Sequence, residues 1–441
     1  MKLTYGVADK PHFGKVLVFA LQQLLAILAA TIAVPAIINS GAGTDMSSSA
    51  ALFGAGVGTI VYLLFTKFKS PVFLGSSFAF IGSMFAAFGG ATSMAVGYVG
   101  IILGAFFAGL VYVVISIIVK AVGVNWINKL MPAVVIGPTV AIIGLSLAGN
   151  AVGDVLGNGK TTSTYVCIVC GLVTLFVTMI CSVFGKRMLK MIPFIVGICA
   201  GYIVATIFTL IGNATGNDAL RVIDFSAFEN MKWIPEFTFM KAFEGLSAVT
   251  PAYVGTVAVA YVPVAFVVFA EHIADHKNLS SIIESDLLEE PGLHRTLLGD
   301  GVGSMVGAFF GGCPNTTYGE SVGCVAISGN ASVVTILTTA IIAIVASFFG
   351  PFVTILATIP SCVMGGVCVA LYGFIAVSGL KMIQKVDLDD NANLFTVSVI
   401  LIAGIGGFAV SFGSVTITEV ACALILGIIT NKVLGLKKKN K

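Results

Sequence analysis

The feature that most limits what this chain can become is the recurrence, almost end to end, of apolar runs long enough to cross a hydrocarbon layer of about 30 Å. They fall near 16–38, 50–66, 72–88, 94–119, 131–149, 164–184, 192–212, 251–275, 297–311, 315–328, 332–350, 359–380, 393–411 and 416–434. A lipid interior offers no water to backbone N–H and C=O groups, so a spanning segment must satisfy them itself, and a helix does so. The expectation is an all-α polytopic membrane protein of fourteen spans, the third and tenth short and interrupted. Composition agrees: of 441 residues, 58% are hydrophobic and 10% charged, with a mean hydropathy of +1.06. Water-facing domains carry about a quarter charged residues. A soluble enzyme, a nucleic-acid binder and a disordered chain are therefore all excluded. A net charge of +3 calls for no polyanionic partner. The Cys sit mostly in apolar runs and form no disulfide framework, and Cys167-x-x-Cys170 reads as packing.

The placement of positive charge sets the threading, because Lys and Arg collect in cytoplasmic loops. Of the 23 Lys and Arg, all but Lys160, Arg221, Lys232 and Lys241 fall on one side, which puts both termini in the cytoplasm. Residues 213–250 form the one sizeable polar insert, an outer linker between a first seven-span unit (1–212) and a second (251–441). Seven is odd, so a repeated half must enter the membrane inverted. Two segments repeat: Met131-Pro-Ala-Val-Val-Ile-Gly137 answers Ile359-Pro-Ser-Cys-Val-Met-Gly365, and Gly75-Ser-Ser-Phe78-Ala answers Asn315-Thr-Thr-Tyr318-Gly319. Each pair occupies the same ordinal span of its half. Inverted repeats with interrupted spans at corresponding places point to a secondary transporter with its site near the midplane.

Ionisable groups within spans are costly and therefore candidate functional groups. Glu271 and Asp275 share a helix face one turn apart, and Glu320 follows the interruption of the tenth span. Asp300 and Glu419 read as interfacial, and His272 as packing or support for Glu271. Ser76 and Ser77, or Thr316 and Thr317, are expected to cap the broken helices, with Phe78 and Tyr318 facing the interior. Carboxylates accept, free amides donate and aromatics offer flat faces, a combination suited to a small planar neutral molecule with both N–H and C=O groups, such as a nucleobase. The four His lack metal-ligand spacing and no phosphate-binding Gly-Lys-Ser/Thr loop occurs, so ATP-driven transport and a resident cofactor are not expected.

At Ala270-Glu271-His272-Ile273, Pro314-Asn-Thr-Thr-Tyr-Gly-Glu320 and Leu74-Gly-Ser-Ser-Phe-Ala-Phe80, the chain closely resembles the nucleobase–ascorbate transporter family, in particular its bacterial uracil permease branch. The resemblance implies two inverted repeats, a core domain from spans 1–4 and 8–11, and a gate domain from spans 5–7 and 12–14. It also implies proton-coupled uptake at the cytoplasmic membrane by a homodimer whose cores slide against their gates. Carried over by position, Glu271 and Glu320 hold the base's N–H groups, Phe78 stacks on the ring, and backbone around Phe78, Tyr318 and Gly319 meets its carbonyls. Asp275 and Glu271 are the proton-coupling pair. Two positions depart from the uracil pattern: Asp275 stands where that branch has His and the purine branch Asp, and Gln23 stands where some members have His. Xanthine or another purine is the alternative substrate.

Overall fold

The computed structural model describes residues 3–157, 162–186, 188–229, 231–412 and 415–439. Lys2, Lys160, Arg187 and Lys441, used in the charge count, lie outside the described residues. The longer helices in chain order are α1 (Phe13–Ala42), α2 (Ser48–Phe65), α3 (Ile81–Gly89), α4 (Met94–Val122), α5 (Ala133–Ser146), α6 (Ala148–Val155), α7 (Thr164–Phe184) and α8 (Pro193–Thr215). After the polar segment 213–250 come α9 (Pro251–Ile283), α10 (Leu293–Gly311), α11 (Gly319–Ser328), α12 (Val333–Ala346), α13 (Gly350–Thr358), α14 (Ser361–Ile383), α15 (Asn391–Ile405) and α16 (Glu419–Lys439). Four three-residue strands complete the framework: β1 (Leu74–Ser76) pairs with β2 (Asn315–Thr317), and β3 (Val410–Phe412) with β4 (Val415–Ile417). The chain is thus predominantly helical, with two small ribbons that the all-α expectation lacked.

Among the described residues, eight helices are long and apolar enough to cross a membrane, or nine if α12 and α13, bent by 85°, count as one span. The stretch Phe78–Gly89 and α15 are apolar but shorter. The expected span at 332–350 breaks at its C-terminal end, where Gly350-Pro351 starts a new helix. That at 251–275 runs on to Ile283, and that at 297–311 begins earlier, at Leu293. Local chemistry fixes several ends. The Ser47 hydroxyl accepts from the Ala50 N–H at the start of α2, and α1 stops at Gly43, whose φ of 65° is a left-handed turn that glycine adopts cheaply.

Close packing relies on small residues. Along α2, a Cβ at Gly54 would collide with the Gly307 backbone and one at Gly58 would stand 2.7 Å from the Gly303 carbonyl, so α2 and α10 approach backbone to backbone. In the same cleft the buried Asn315 Nδ2 donates to the Gly54 carbonyl at 3.1 Å and so pins β2 to this helix pair. α5 lies equally close to α14, where Gly144 meets Tyr372 and Gly379 meets Ala141. The described residues of segment 213–250 include folded structure: Thr238–Phe243 is a short helix against α4 and α10, and Trp233 packs on Gly350.

Candidate functional site

An interrupted helix leaves backbone groups unpaired, and here the two interruptions satisfy each other. β1 and β2 run antiparallel with Leu74 opposite Thr317, Gly75 opposite Thr316 and Ser76 opposite Asn315. The ladder continues as the Ser77 N–H donates to the Pro314 carbonyl at 2.8 Å and the Tyr318 N–H to the Phe73 carbonyl at 3.3 Å. The Tyr318 hydroxyl crosses the ribbon to donate to the Ser76 carbonyl at 2.9 Å, over a Gly75 where any side chain would strike the Tyr318 ring. The repeated segments therefore meet as one structural unit.

The expected hydroxyl caps do not form. Ser77 makes no capping bond, and α11 opens on Tyr318, not on Thr317. Strand pairing already occupies these backbones, which frees the Thr317 hydroxyl to donate to Asp275 Oδ2 at 2.9 Å. Gly319 follows directly, exposed, and a Cβ there would lie 3.8 Å from Asp275 Oδ1. Glu271 and Asp275 on α9 and Glu320 in the first turn of α11 are each half-buried and near enough to feel one another's charge. Of the residues singled out by sequence, Glu271, Asp275, Tyr318, Gly319 and Glu320 thus converge where α9 passes the ribbon. Phe78 leaves the opposite end of the ribbon, buried, and its ring meets Tyr372 of α14 edge-on at 5.6 Å. Gln23 of α1 fixes the first turn of α11 from behind: its Nε2 donates to Ser321 Oγ at 2.5 Å, and that hydroxyl accepts from the Phe73 N–H at 3.0 Å.

Other expectations are corrected. Asp300 is not interfacial; it is fully buried, with Oδ2 2.7 Å from His272 Nδ1. The earlier start of α10 at Leu293 places it about two turns into the helix, and His272 supplies the partner that a buried carboxylate requires. Glu419 is half-buried and lines a small cavity with Phe78, Gly82 and Thr418. Sequence reasoning missed Thr317 as a partner of Asp275, and Tyr372 altogether; only its place on a glycine-rich span hinted at a ring facing the interior. A cavity of about 640 Å³ lies away from Glu271, Asp275 and Glu320, beside Asn39, Ser40, Asp154 and Lys232.

Residues 14–412 match the model of a family described as the permease family. The chain is 39% identical to the uracil permease of Bacillus caldolyticus, over 98% of this chain and 95% of that one. It is 34% identical to the uracil permease of Escherichia coli strain K12, over 96% and 92%. Among solved structures, the transmembrane domain of a cyanobacterial bicarbonate transporter aligns over 97% of this chain and all of that one at 17% identity and a TM-score of 0.61. The inward-facing structure of a murine Slc26a9 anion transporter aligns over 98% and 69% at 10% identity and a TM-score of 0.67. These structural likenesses concern the fold alone.

Proposed function

Because this chain belongs to the nucleobase–ascorbate transporter family and is a membrane permease rather than an enzyme, we propose that it imports uracil, coupled to protons, across the bacterial cytoplasmic membrane. The observation that carries this reading is the convergence of Glu271, Asp275 and Glu320 on the first turn of α11, at the crossing of the two interrupted spans. Uracil presents two N–H donors and two carbonyl acceptors on a planar ring. Glu271 and Glu320 accept the N–H groups, and N–H groups at the start of α11 around Gly319 donate to a carbonyl, as helix N-termini do. Phe78 offers its ring face to the base, and Thr317 holds Asp275 in place beside them. Among the described residues no Lys or Arg belongs to this cluster, which suits a neutral ligand over an anion. The uracil permeases among the relatives favour uracil over a purine, although Asp275 matches the purine pattern.

In this reading the shorter apolar segments complete fourteen spans in two inverted halves. The contacts of α2 with α10, β1 with β2, and α5 with α14 join segments of equal rank in each half, as a two-fold relation between halves requires. Spans 1–4 and 8–11 form a core that slides, with its substrate, against a gate of spans 5–7 and 12–14. The functional unit is a homodimer with both termini in the cytoplasm. Asp275 tunes the protonation of Glu271, and the pair carries the coupling proton.

Uptake of labelled uracil into proteoliposomes, competed by xanthine, hypoxanthine, guanine and thymine, tests the substrate. Uracil alone should compete strongly, and a purine that outcompetes it would replace this assignment. Asp275→Asn should keep uracil exchange while uptake loses its dependence on an inward proton gradient. Full gradient dependence in that variant would return Asp275 to a structural role.

A further inference from the structure

Behind the substrate-facing carboxylates lies a second, wholly buried polar cluster. His272 Nδ1 faces Asp300 Oδ2 at 2.7 Å and its Nε2 faces Thr296 Oγ1 at 3.0 Å. One turn on, His276 Nδ1 donates to the His272 carbonyl at 2.8 Å and its Nε2 lies 2.7 Å from the Tyr62 hydroxyl. The two imidazoles stack with centroids 4.0 Å apart. His272, His276, Thr296 and Asp300 are at most 1% exposed.

What sets this cluster apart is the second acceptor at each hydroxyl. Thr296 Oγ1 also lies 3.1 Å from the Leu293 carbonyl, and the Tyr62 hydroxyl 2.7 Å from Ser70 Oγ. With neutral imidazoles, Thr296 donates to His272 Nε2 and Tyr62 donates to His276 Nε2, each hydroxyl then turned from its second acceptor. When a proton is added at His272 Nε2, that nitrogen donates to Thr296 Oγ1 and the threonine hydrogen turns to Leu293. When it is added at His276 Nε2, that nitrogen donates to the Tyr62 oxygen and Tyr62 donates to Ser70. Each imidazole nitrogen keeps a hydrogen-bond partner in both states, so protonation leaves no ring N–H unpaired. A purely structural bracket needs one satisfied arrangement; this one has two.

We propose that His272, His276 and Asp300 form a proton-holding station separate from Glu271 and Asp275, reached from the Lys67–Lys69 end of the molecule through Ser70 and Tyr62. A proton entering at the buried Ser70 Oγ moves by relay: with the Tyr62 hydroxyl turned to His276, Tyr62 passes its hydrogen to Nε2 and takes the Ser70 hydrogen on its oxygen, while Ser70 keeps the incoming proton. Face-to-face imidazoles repel if both are charged, so the pair accepts one proton, balanced by Asp300. The charged or titratable groups around it are Glu271 and Asp275 on the same helix, Glu320 on α11, Tyr112 on α4, Tyr62 on α2 and Arg295 on α10, whose Nη1 donates to the Phe65 carbonyl. Glu271 lies next to His272 in sequence, so proton occupancy here changes the field at the substrate site. That last link rests on the proton-symport reading; the station itself does not.

Histidine ring NMR on the uracil-free protein tests the station directly. One imidazole signal should change protonation as the pH is lowered, vanish in His276→Gln or His272→Gln, and shift in Thr296→Val while Thr296→Ser restores it. If neither imidazole titrates, or if Thr296→Val leaves the titration unmoved, the proposal is overturned. In proteoliposomes, Thr296→Val and Tyr62→Phe should keep uracil binding and exchange but lose most gradient-driven accumulation and shift its pH profile. Unaltered accumulation and profile in both, in folded protein, would remove the station from coupling. A wild-type protein whose uptake ignores the proton gradient would break the symport reading instead, and the NMR titration would still decide the station.

Discussion

The two interrupted spans start from one plan and end in different chemistry. Each is a three-residue strand followed by an aromatic and a short helix, and the strands pair residue for residue. After β1 the chain enters a 3₁₀ turn, Phe78–Phe80, that is buried and carries no charge. After β2 it passes an exposed Gly319 into Glu320, and α9 brings Glu271 and Asp275 alongside. The shared half of the pattern builds the frame, because unpaired backbone in a membrane must find a partner. In the proposed function the divergent half supplies recognition, with an aromatic ring of the first region contributing contact area and carboxylates and N–H groups of the second reading the hydrogen-bonding edge of the ligand.

If that division holds, changes in the second region should cost most. Glu320→Gln or Glu271→Gln presents an amide N–H to a base N–H, so uracil affinity should fall by about 3 kcal/mol or more while the fold persists. Calorimetric titration measures this, and near-normal affinity in either variant would break the comparison at its centre. In the first region, Phe78→Ala should weaken binding by about 1–3 kcal/mol and Phe78→Tyr hardly at all; an unchanged Ala variant would make Phe78 a packing residue against Tyr372. The smallest effect belongs to Thr317→Val, which removes one hydrogen bond to Asp275 and should cost about 1 kcal/mol in affinity. A larger loss there would mean that Thr317 meets the ligand itself.

The sequence made some of this visible and hid the rest for physical reasons. Glu271, Asp275 and Glu320 stood out because charge within an apolar run is expensive. Asp300 did not, since it lies five residues beyond Arg295 and resembles a helix-end charge; its burial depends on His272, on another helix. The strands escaped notice because three residues are too few to show alternation. The bend between α12 and α13 lay within an unbroken apolar run and was marked only by Gly350-Pro351. Thr317 illustrates the general obstacle: a hydroxyl freed by one tertiary pairing to serve another has no signature along the chain.

The most direct test is the structure of the uracil complex. The account places the ring between β1–β2 and α9, with its N–H groups within about 3 Å of the Glu271 and Glu320 carboxylates. Uracil bound instead in the large cavity beside Asn39 and Asp154, with both glutamates free of it, would contradict the account.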